Sequence, residues 1–254
     1  MLSVNKIKTL KSLHKKKYRK QENSFLIEGF RLIGQALSSG ANFEEVWLTL
    51  ESKNSLFGKK IIEDLKNKNI PFCIIPKKII KQMSDSLNDQ GIVALLPIPK
   101  YNKLNQIPDK SIYLDGISDP GNMGTILRTA SWFGIRSIFY SPDCVDLFNS
   151  KVVRSAMGAH FYFLHLELIS DIEKFKKFKK IDIEILGAEM DGKPIDSSTD
   201  LNYSKWMLIL GNEARGISEG IKEYISTSIS IKGYSDLESL NVSVAAGILL
   251  YALL

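Results

Sequence analysis

The sequence predicts an α/β protein built from two domains. Short apolar strand patterns alternate with amphipathic helix patterns along the whole chain, and this alternation is typical of sheets covered by helices. The length of 254 residues exceeds the usual size of one domain. Three prolines fall within "PIPKYNKLNQIPD" near the middle, which indicates a linker. We therefore predict one domain over residues 1–98, a linker over 99–108 and a second domain over 109–254.

The first domain is predicted as a compact α/β unit. A basic segment is followed by "SFLIEGFRLIGQAL", which reads as a strand running into an amphipathic helix. Short strands are predicted in "FEEVWLTL" and "PFCIIP", with the helix "KKIIEDLKNKN" between them. The helix "KKIIKQMSDSLN" and the buried strand "GIVALLPI" complete the unit.

The second domain is predicted to contain a parallel sheet with helices on both faces. Its strand candidates are "SIYLDG", "SIFYS", "FYFLHLEL", "IEILGAE", "WMLILG" and "SISIK", and helical patterns separate them. The basic run 174–180 is predicted as the outer face of a helix, with Phe175 and Phe178 packed inward.

Positive charge is concentrated in the first domain. Residues 1–98 hold 17 Lys or Arg against 9 Asp or Glu, whereas residues 99–254 hold 17 against 19. Eight of these basic residues lie within the first 20, where there is no acid. The segment predicts a polyanion partner, although a solvated helix that only keeps the protein soluble is the alternative. The candidate RNA contacts are Lys15, Lys16, Lys17 and Arg19.

The remaining composition favours a cytoplasmic protein without a metal centre. Cys73 and Cys144 fit neither a disulfide framework nor a paired metal motif, and both are expected to be buried. The three histidines, at positions 14, 160 and 165, lack metal-ligand spacing. The first 20 residues are too basic for a signal segment. The apolar C-terminal stretch "NVSVAAGILLYALL" is shorter than the roughly 20 residues that a membrane span needs, so a buried helix is expected.

Three stretches of the second domain carry polar residues at strand ends and helix starts. In "LDGISDPGNMGTILRTASWFGI" a strand and a Pro-Gly turn precede a helix that is predicted to open at Asn122, because Asn is a favoured N-cap. Arg128 lies roughly 200° around this helix from the apolar Ile126, so it is predicted to face away from the core. An outward arginine is consistent with plain solvation as well as with a functional role.

The second and third stretches also allow two interpretations. "LGNEARGIS" follows the apolar run "WMLIL", and its glycines permit close approach of a ligand, but a plain strand-to-helix turn uses the same residues. In "ISIKGYSDLESLNVSVAAGILLYAL" a strand leads through a loop to a helix that begins near Ser239 and Asn241, both good capping residues.

Taken in order, the three stretches resemble the motifs of the SpoU family of RNA ribose 2′-O-methyltransferases, within the SPOUT superfamily. The intervening "KVVRSAMGAHFYF" resembles the segment between the first and second motifs of that family. Upstream, "KKKYRKQENSFLIEGFRLIGQAL" resembles the start of the substrate-binding domain that is often fused to it. The resemblance covers nearly the whole chain.

The resemblance implies a fold and a cofactor. It implies a C-terminal SPOUT domain with a parallel sheet and a deep trefoil knot, preceded by a smaller N-terminal α/β RNA-binding domain. It also implies that loops of the knot bind S-adenosylmethionine, which agrees with the absence of the G-x-G-x-x-G pattern of ordinary dinucleotide-binding folds. RNA is the implied substrate, with ribosomal RNA favoured over transfer RNA. The C-terminal helix has apolar residues on nearly every face, which predicts a homodimer through this region, and SpoU relatives suggest the same.

Site residues are carried over from the family by position. The implied catalytic residues are Asn122, Arg128, Glu213, Ser239 and Asn241. The implied cofactor-binding residues are Gly187, Leu210, Gly211, Ile231 and Leu240. Two alternatives stay open: a SpoU-like RNA-binding or assembly factor without catalysis, and a methyltransferase that protects the ribosome from an antibiotic.

Overall fold

The computed structural model describes residues 2–86, 89–101, 108–171, 173–179, 183–195, 203–234 and 239–254. It divides into two compact units. The first contains Met1–Lys100 together with Asp146–Phe161, and the second contains Tyr101–Val145 together with Tyr162–Leu254. The division differs from the continuous domains predicted above, because residues 146–161 pack with the N-terminal unit. Most of the predicted linker, residues 102–107, lies outside the described residues.

Helices and strands alternate along the chain. As far as Val145 the elements are α1 (Val4–Ser12), α2 (Lys16–Glu22), β1 (Ser24–Glu28), α3 (Phe30–Ser38), β2 (Glu45–Leu48), α4 (Leu50–Asn54), α5 (Leu56–Asn67), β3 (Phe72–Ile74), α6 (Lys77–Met83), β4 (Ile92–Pro97), β5 (Lys110–Leu114), α7 (Pro120–Trp132) and β6 (Ser137–Tyr140). After Val145 they are α8 (Ser150–Ala156), a 3₁₀ turn (Ala159–Phe161), β7 (His165–Leu168), α9 (Lys174–Lys179), β8 (Glu184–Ile195), β9 (Trp206–Leu210), α10 (Glu219–Lys222), β10 (Thr227–Ile231) and α11 (Val242–Leu253).

The first unit is built on a four-stranded sheet in the order β1-β4-β2-β3. Strand β4 runs antiparallel to β1 and β2, and β2 runs parallel to β3. Successive strand residues point to opposite faces, so each face has its own core. One face, with Phe25 and Val46, packs against α3 and α5. The other face, with Trp47 and Val93, packs against α1 and α6.

Residues 146–161 complete the core of the first unit. Val153 of α8 belongs to the same buried cluster as Phe25 of β1. The ring of Phe25 also lies 5.0 Å from that of Phe148 and 6.4 Å from that of Phe161. An ion pair between Arg154 Nη1 and Glu28 Oε1, at 2.6 Å, joins α8 to β1. Because these partners are more than a hundred residues apart, no local sequence pattern could predict that residues 146–161 belong to the first unit.

The second unit contains a six-stranded sheet in the order β10-β8-β9-β5-β6-β7, in which every pair of neighbours is parallel. The predicted parallel sheet is therefore confirmed. Strand β9 is buried at every position, as expected for a central strand of a parallel sheet. Phe175 and Phe178 of α9 are buried, as predicted.

Three local expectations were wrong. Helix α7 begins at Pro120 with Asp119 as its N-cap, not at Asn122, because Asp119 accepts a backbone hydrogen bond in the first turn. The strand expected in "FYFLHLEL" begins only at His165, since Phe161 ends a 3₁₀ turn and residues 162–164 are irregular. Cys73 is exposed on the edge strand β3, whereas Cys144 is buried as predicted.

Within the described parts of the chain, no helix is long and apolar enough to span a membrane. Those same residues contain no cluster of His, Cys, Asp or Glu that could hold a metal ion.

Candidate active site

The candidate site lies at the carboxyl ends of the neighbouring strands β5 and β9. Backbone N–H of Asp115 donates to the carbonyl of Leu210 at 2.9 Å, so the two strand ends stay paired. Ser218 N–H donates to Asp115 Oδ2 at 2.7 Å, and Asn212 Nδ2 donates to the Gly116 carbonyl at 2.7 Å. The loops that follow the two strands are thus tied together at the edge where parallel sheets commonly bind ligands.

The loop after β9 is a tight turn closed between Asn212 and Gly216. Their backbone groups exchange two hydrogen bonds of 3.0 and 2.8 Å, and Asn212 Oδ1 accepts two more from N–H groups at the apex. Gly216 has φ +67°, and a Cβ on Gly211 would lie 2.4 Å from the Gly216 carbonyl carbon. Only glycine therefore fits position 211, and the turn presents Glu213 to solvent.

Asn122, in the first turn of α7, joins this loop to the last helix. Its Nδ2 donates to Glu213 Oε1 at 2.6 Å. Its Oδ1 accepts from Asn241 Nδ2 at 3.0 Å. The orientation of the Asn122 amide is therefore set at both ends, by an acceptor on one side and a donor on the other.

Asn241 is the N-cap of α11, as predicted. Its Oδ1 accepts from the backbone N–H of Ser243 at 2.9 Å and from Ser243 Oγ at 2.6 Å. With its oxygen engaged in capping, its Nδ2 is directed at Asn122. The result is a hydrogen-bonded chain Glu213–Asn122–Asn241, to which each of the three sequence motifs contributes one member.

The structure brings together three of the five predicted catalytic residues. Arg128 is exposed on α7, as its helical position predicted, and Ser239 is exposed just before α11. Among the described residues, no hydrogen bond joins Arg128 or Ser239 to the Glu213–Asn122–Asn241 chain.

The predicted cofactor residues map to three adjacent strands and the segment before α11. Gly187 of β8 is paired with Ile209 on β9 and with Ser228 on β10. Leu210 ends β9 and is buried, and Ile231 ends β10. The fifth residue, Leu240, precedes α11 and leaves 49% of its surface exposed. Leu210 and Ile231 thus end their strands, whereas Gly187 lies in the first half of β8, level with Ile209 near the end of β9. The role of these residues in binding stays a prediction.

Sequence reasoning missed the residues that shape this site. Asp115 ties the two loops together, Asn212 closes the turn, and Asp119 caps α7. The sequence does contain a signal for two of them. Asp119 precedes a proline, which is a common N-cap pattern, and Asn212 precedes a glycine-containing turn, where Asn often bonds to its own backbone. The contact made by Asp115 is long-range and had none.

Burial disfavours the ionised form of two side chains near the site, Cys144 and Tyr113. Cys144 is buried and its Sγ donates to the Leu114 carbonyl at 3.3 Å. Burial raises the pKa of the Cys144 thiol, so the reactive thiolate is disfavoured. Burial, with a further contribution from Asp115, also raises the pKa of the Tyr113 hydroxyl. Neither the Cys144 thiol nor the Tyr113 hydroxyl is therefore in the ionised form that a nucleophile needs.

The predicted RNA contacts in the first unit divide into two groups. Lys15, Lys16 and Lys17 are exposed at the start of α2. Arg19 is 3% exposed: it forms an ion pair with Asp146 and donates to the Leu13 carbonyl at 2.6 Å. The assignment of Arg19 as an RNA contact was wrong, because its guanidinium is already committed to groups inside the protein.

Residues 109–251 match the SpoU rRNA Methylase family. The chain belongs to this family. Residues 5–94 match the MRM3-like substrate binding domain. The chain is 31% identical over 251 residues to 23S rRNA (guanosine(2553)-2′-O)-methyltransferase RlmP of Bacillus subtilis, covering 98% of this chain and 95% of that protein. It is 27% identical over 208 residues to 23S rRNA (guanosine-2′-O-)-methyltransferase RlmB of Neisseria meningitidis, covering 79% and 82%.

Solved structures agree with this family assignment. A TrmH-family protein from Porphyromonas gingivalis superposes with a TM-score of 0.84 at 30% identity, covering 100% of this chain and 98% of that one. An RNA 2′-O ribose methyltransferase superposes with a TM-score of 0.82 at 26% identity, covering 99% and 95%. The two-unit fold is therefore shared across the full length of these family members.

Proposed function

We propose that this SpoU-family protein is an S-adenosylmethionine-dependent methyltransferase that acts on a ribose 2′ hydroxyl of ribosomal RNA in the cytoplasm. RlmP and RlmB are both 23S rRNA 2′-O-methyltransferases by name, and both match along most of their length. The observation that carries the proposal is the Glu213–Asn122–Asn241 chain, because it unites the three family motifs into one polar site.

The strand ends beside this polar site fit the cofactor. When bound, S-adenosylmethionine supplies an electrophilic methyl group on a sulfonium. We assign its binding to Gly187, Leu210, Gly211, Ile231 and Leu240. The fit rests on two features: Gly211 lets the loop after β9 fold back closely against the end of that strand, and Leu240 offers an exposed apolar side chain. Ligands of open parallel sheets bind at this edge.

The polar residues have the task of aligning and activating the ribose hydroxyl. In-line transfer depends on the alignment of the attacking oxygen, which a pre-oriented network provides without reorganisation. Glu213 and Asn122 offer acceptor and donor groups in fixed positions. Arg128 is assigned to the phosphate or hydroxyl of the target nucleotide, where it stabilises developing negative charge. It is not the base, because a guanidinium stays protonated in proteins.

We also infer the deep trefoil knot implied by the resemblance. Helix α11 follows β10, the edge strand, yet it packs against α7, which follows β5 three places away in the sheet. The contact between Asn241 and Asn122 places the start of α11 beside the start of α7. This return across the sheet supports a threaded chain end, an arrangement that is otherwise nearly absent from proteins.

A homodimer through α7 and α11 is part of the proposal. Helix α11 buries Leu249, Leu250 and Leu253 but leaves other apolar residues exposed. The large exposed apolar residues of the two helices are Trp132, Val244, Ile248 and Tyr251. Exposed apolar surface of this kind on paired helices is typical of an association site.

Sedimentation tests the dimer. The wild-type protein is expected to sediment as a dimer at micromolar concentration, and Ile248→Asp is expected to sediment as a monomer. Val4→Asp is the matched control, because Val4 is an exposed apolar residue of the first unit. A wild-type monomer would contradict the dimer.

Transfer of a tritiated methyl group to RNA tests the activity. We expect incorporation with total RNA from a strain that lacks the gene, and Arg128→Ala should lower the rate roughly 100-fold or more, as for loss of a charge-stabilising group. Arg128→Lys should not restore it, since an ammonium lacks the planar two-pronged donor. Arg136→Ala is the control, because Arg136 is an exposed arginine just beyond α7.

Two results would redirect the assignment. RNA binding without any methyl transfer by the wild-type protein would identify a binding factor. Near-wild-type turnover of Arg128→Ala would remove Arg128 from the site. Mapping the methylated nucleotide in wild-type and deletion strains separates a housekeeping role from antibiotic resistance.

A further inference from the structure

We propose that the face of the first unit formed by α1 and α6 binds the phosphate backbone of a double-helical segment of the RNA substrate. This inference rests on the proposed function, since it assumes that RNA is the substrate. The proposed RNA-binding surface includes not only the basic N-terminal segment but also three lysines of α6, which are Lys77, Lys78 and Lys81. These residues are about seventy positions away in the sequence from the lysines of α1.

The packing of α1 and α6 directs their lysines to one side of the sheet. The two helices contact each other and cover the same sheet face. Leu10 of α1 and Ile80 of α6 are buried in one cluster with Trp47 of β2. Since the apolar stripes point to the sheet, the remaining positions face solvent. The exposed lysines at these positions are Lys8, Lys11, Lys77, Lys78 and Lys81, and Lys6 is half-buried.

This face is cationic, whereas the opposite face is mixed. No acid occurs in residues 1–21 or 76–84, so neither helix has internal charge compensation. Lys77 approaches Glu51 at 3.8 Å, but both side chains are more than half exposed and the pair is weakly held. Helix α5, on the other side of the sheet, alternates Lys59 and Lys60 with acids at 63 and 64. The charge asymmetry is therefore a property of one face and not of the whole unit.

The chemistry of this face favours paired RNA. Proteins bind single strands by stacking bases on exposed aromatic rings and bind paired RNA largely through phosphates and shape. Neither α1 nor α6 contains an aromatic residue. Tyr18 in the adjacent α2 is half-buried, with Lys17 Nζ 6.0 Å from its ring centre. Because the lysines of α1 and α6 have no aromatic rings beside them in either helix, this face is suited to the regularly spaced phosphates of an RNA duplex.

A salt titration of duplex binding tests the proposal. The probe is a blunt RNA duplex of about 16 base pairs, a length that spans two successive minor grooves. The triple variant Lys77→Gln, Lys78→Gln and Lys81→Gln is expected to reduce the slope of log affinity against log salt by about three units. At about 0.15 M salt this corresponds to a loss of affinity of roughly 100-fold, if the lysines act only through counterion release.

The matched control is Lys59→Gln, Lys60→Gln and Lys66→Gln on α5, which removes the same charge from the opposite side. This control should leave the slope unchanged. Equal effects of the two triple variants, or no effect of the α6 variant, would overturn the proposal. Tighter binding of the wild-type protein to an unpaired RNA of the same length would overturn the proposal too. So would an α6 variant that binds the duplex normally but no longer binds polyglutamate, because that result would indicate an acidic protein partner.

The outcomes separate this inference from the proposed function. If the wild-type protein methylates RNA and the α6 variant binds duplex normally, only the inference fails. If the wild-type protein neither binds nor methylates RNA, the proposed function itself fails. Hydrogen exchange of β1 and β4 peptides should match the wild type in both triple variants, which shows that the first unit of neither variant has unfolded.

Discussion

Removal of the Arg19 guanidinium should destabilise the first unit and leave the salt slope of RNA binding unchanged. The Arg19 side chain is 4% exposed, and its Nε donates to Asp146 Oδ2 at 3.1 Å. In Arg19→Met the apolar volume is retained, but the Asp146 carboxylate loses its charge partner and the Leu13 carbonyl loses a donor. Losing one partner of a buried ion pair costs about 3–5 kcal/mol, and we expect about 3 kcal/mol because Asp146 is 20% exposed.

Hydrogen exchange read by mass spectrometry measures this effect, because peptides of β1 and α8 report on the first unit alone. The free energy of opening of these peptides should fall in Arg19→Met and in Asp146→Asn. The double variant should lose less than the sum of the two, since each single variant already breaks the same pair. Peptides of β5 and β9 serve as internal controls and should exchange at wild-type rates.

The opposite pattern would refute the structural role of Arg19. If Arg19→Met changes the opening free energy by less than about 0.5 kcal/mol, the residue behaves as an ordinary surface position. If the same variant also lowers the salt slope of RNA binding by about one unit, Arg19 is a phosphate contact after all.

Three further predictions concern the two units. Gly211→Ala should weaken S-adenosylmethionine binding about tenfold or more, because the new Cβ would lie 2.4 Å from the backbone of the loop and displace that loop. Calorimetry measures this affinity. Gly34→Ala is the control, because a Cβ at that position meets nothing within 4 Å. Burial lowers the pKa of His160 to about 4 from 6.5. The unfolded chain therefore binds this proton first, and stability that is complete above pH 6.5 should fall by about 3 kcal/mol as pH drops to 4. Urea unfolding across this range checks it, and His160→Gln should flatten the dependence. Asn122→Asp would place a carboxylate where an amide donates to Glu213 at 2.6 Å, so methyl transfer should fall at least about tenfold at neutral pH while cofactor affinity is kept; unchanged turnover would contradict a role for this contact.

Local patterns in the sequence determined most elements of the fold. The apolar run at 206–210 is β9, the apolar pattern between Asn23 and Gly29 marks β1, and the helical spacing after Gly29 marks α3. Caps were readable where side chain and backbone are neighbours, as at Asn241. Such features depend on residues within about four positions of one another, so they persist whatever the rest of the chain does. The resemblance of the motifs to the SpoU family likewise needed no coordinates.

Only the tertiary structure decided which distant residues meet. Asn122, Glu213 and Asn241 are separated by 91 and 119 positions, and a hydrogen-bonded chain among them is visible only after folding. In the basic segment, Lys15 and Arg19 look alike in sequence, yet one is exposed and the other is buried against Asp146. Burial and ion pairing depend on which surfaces pack together, and that choice is made by the summed core contacts of the whole unit rather than by any short window of residues.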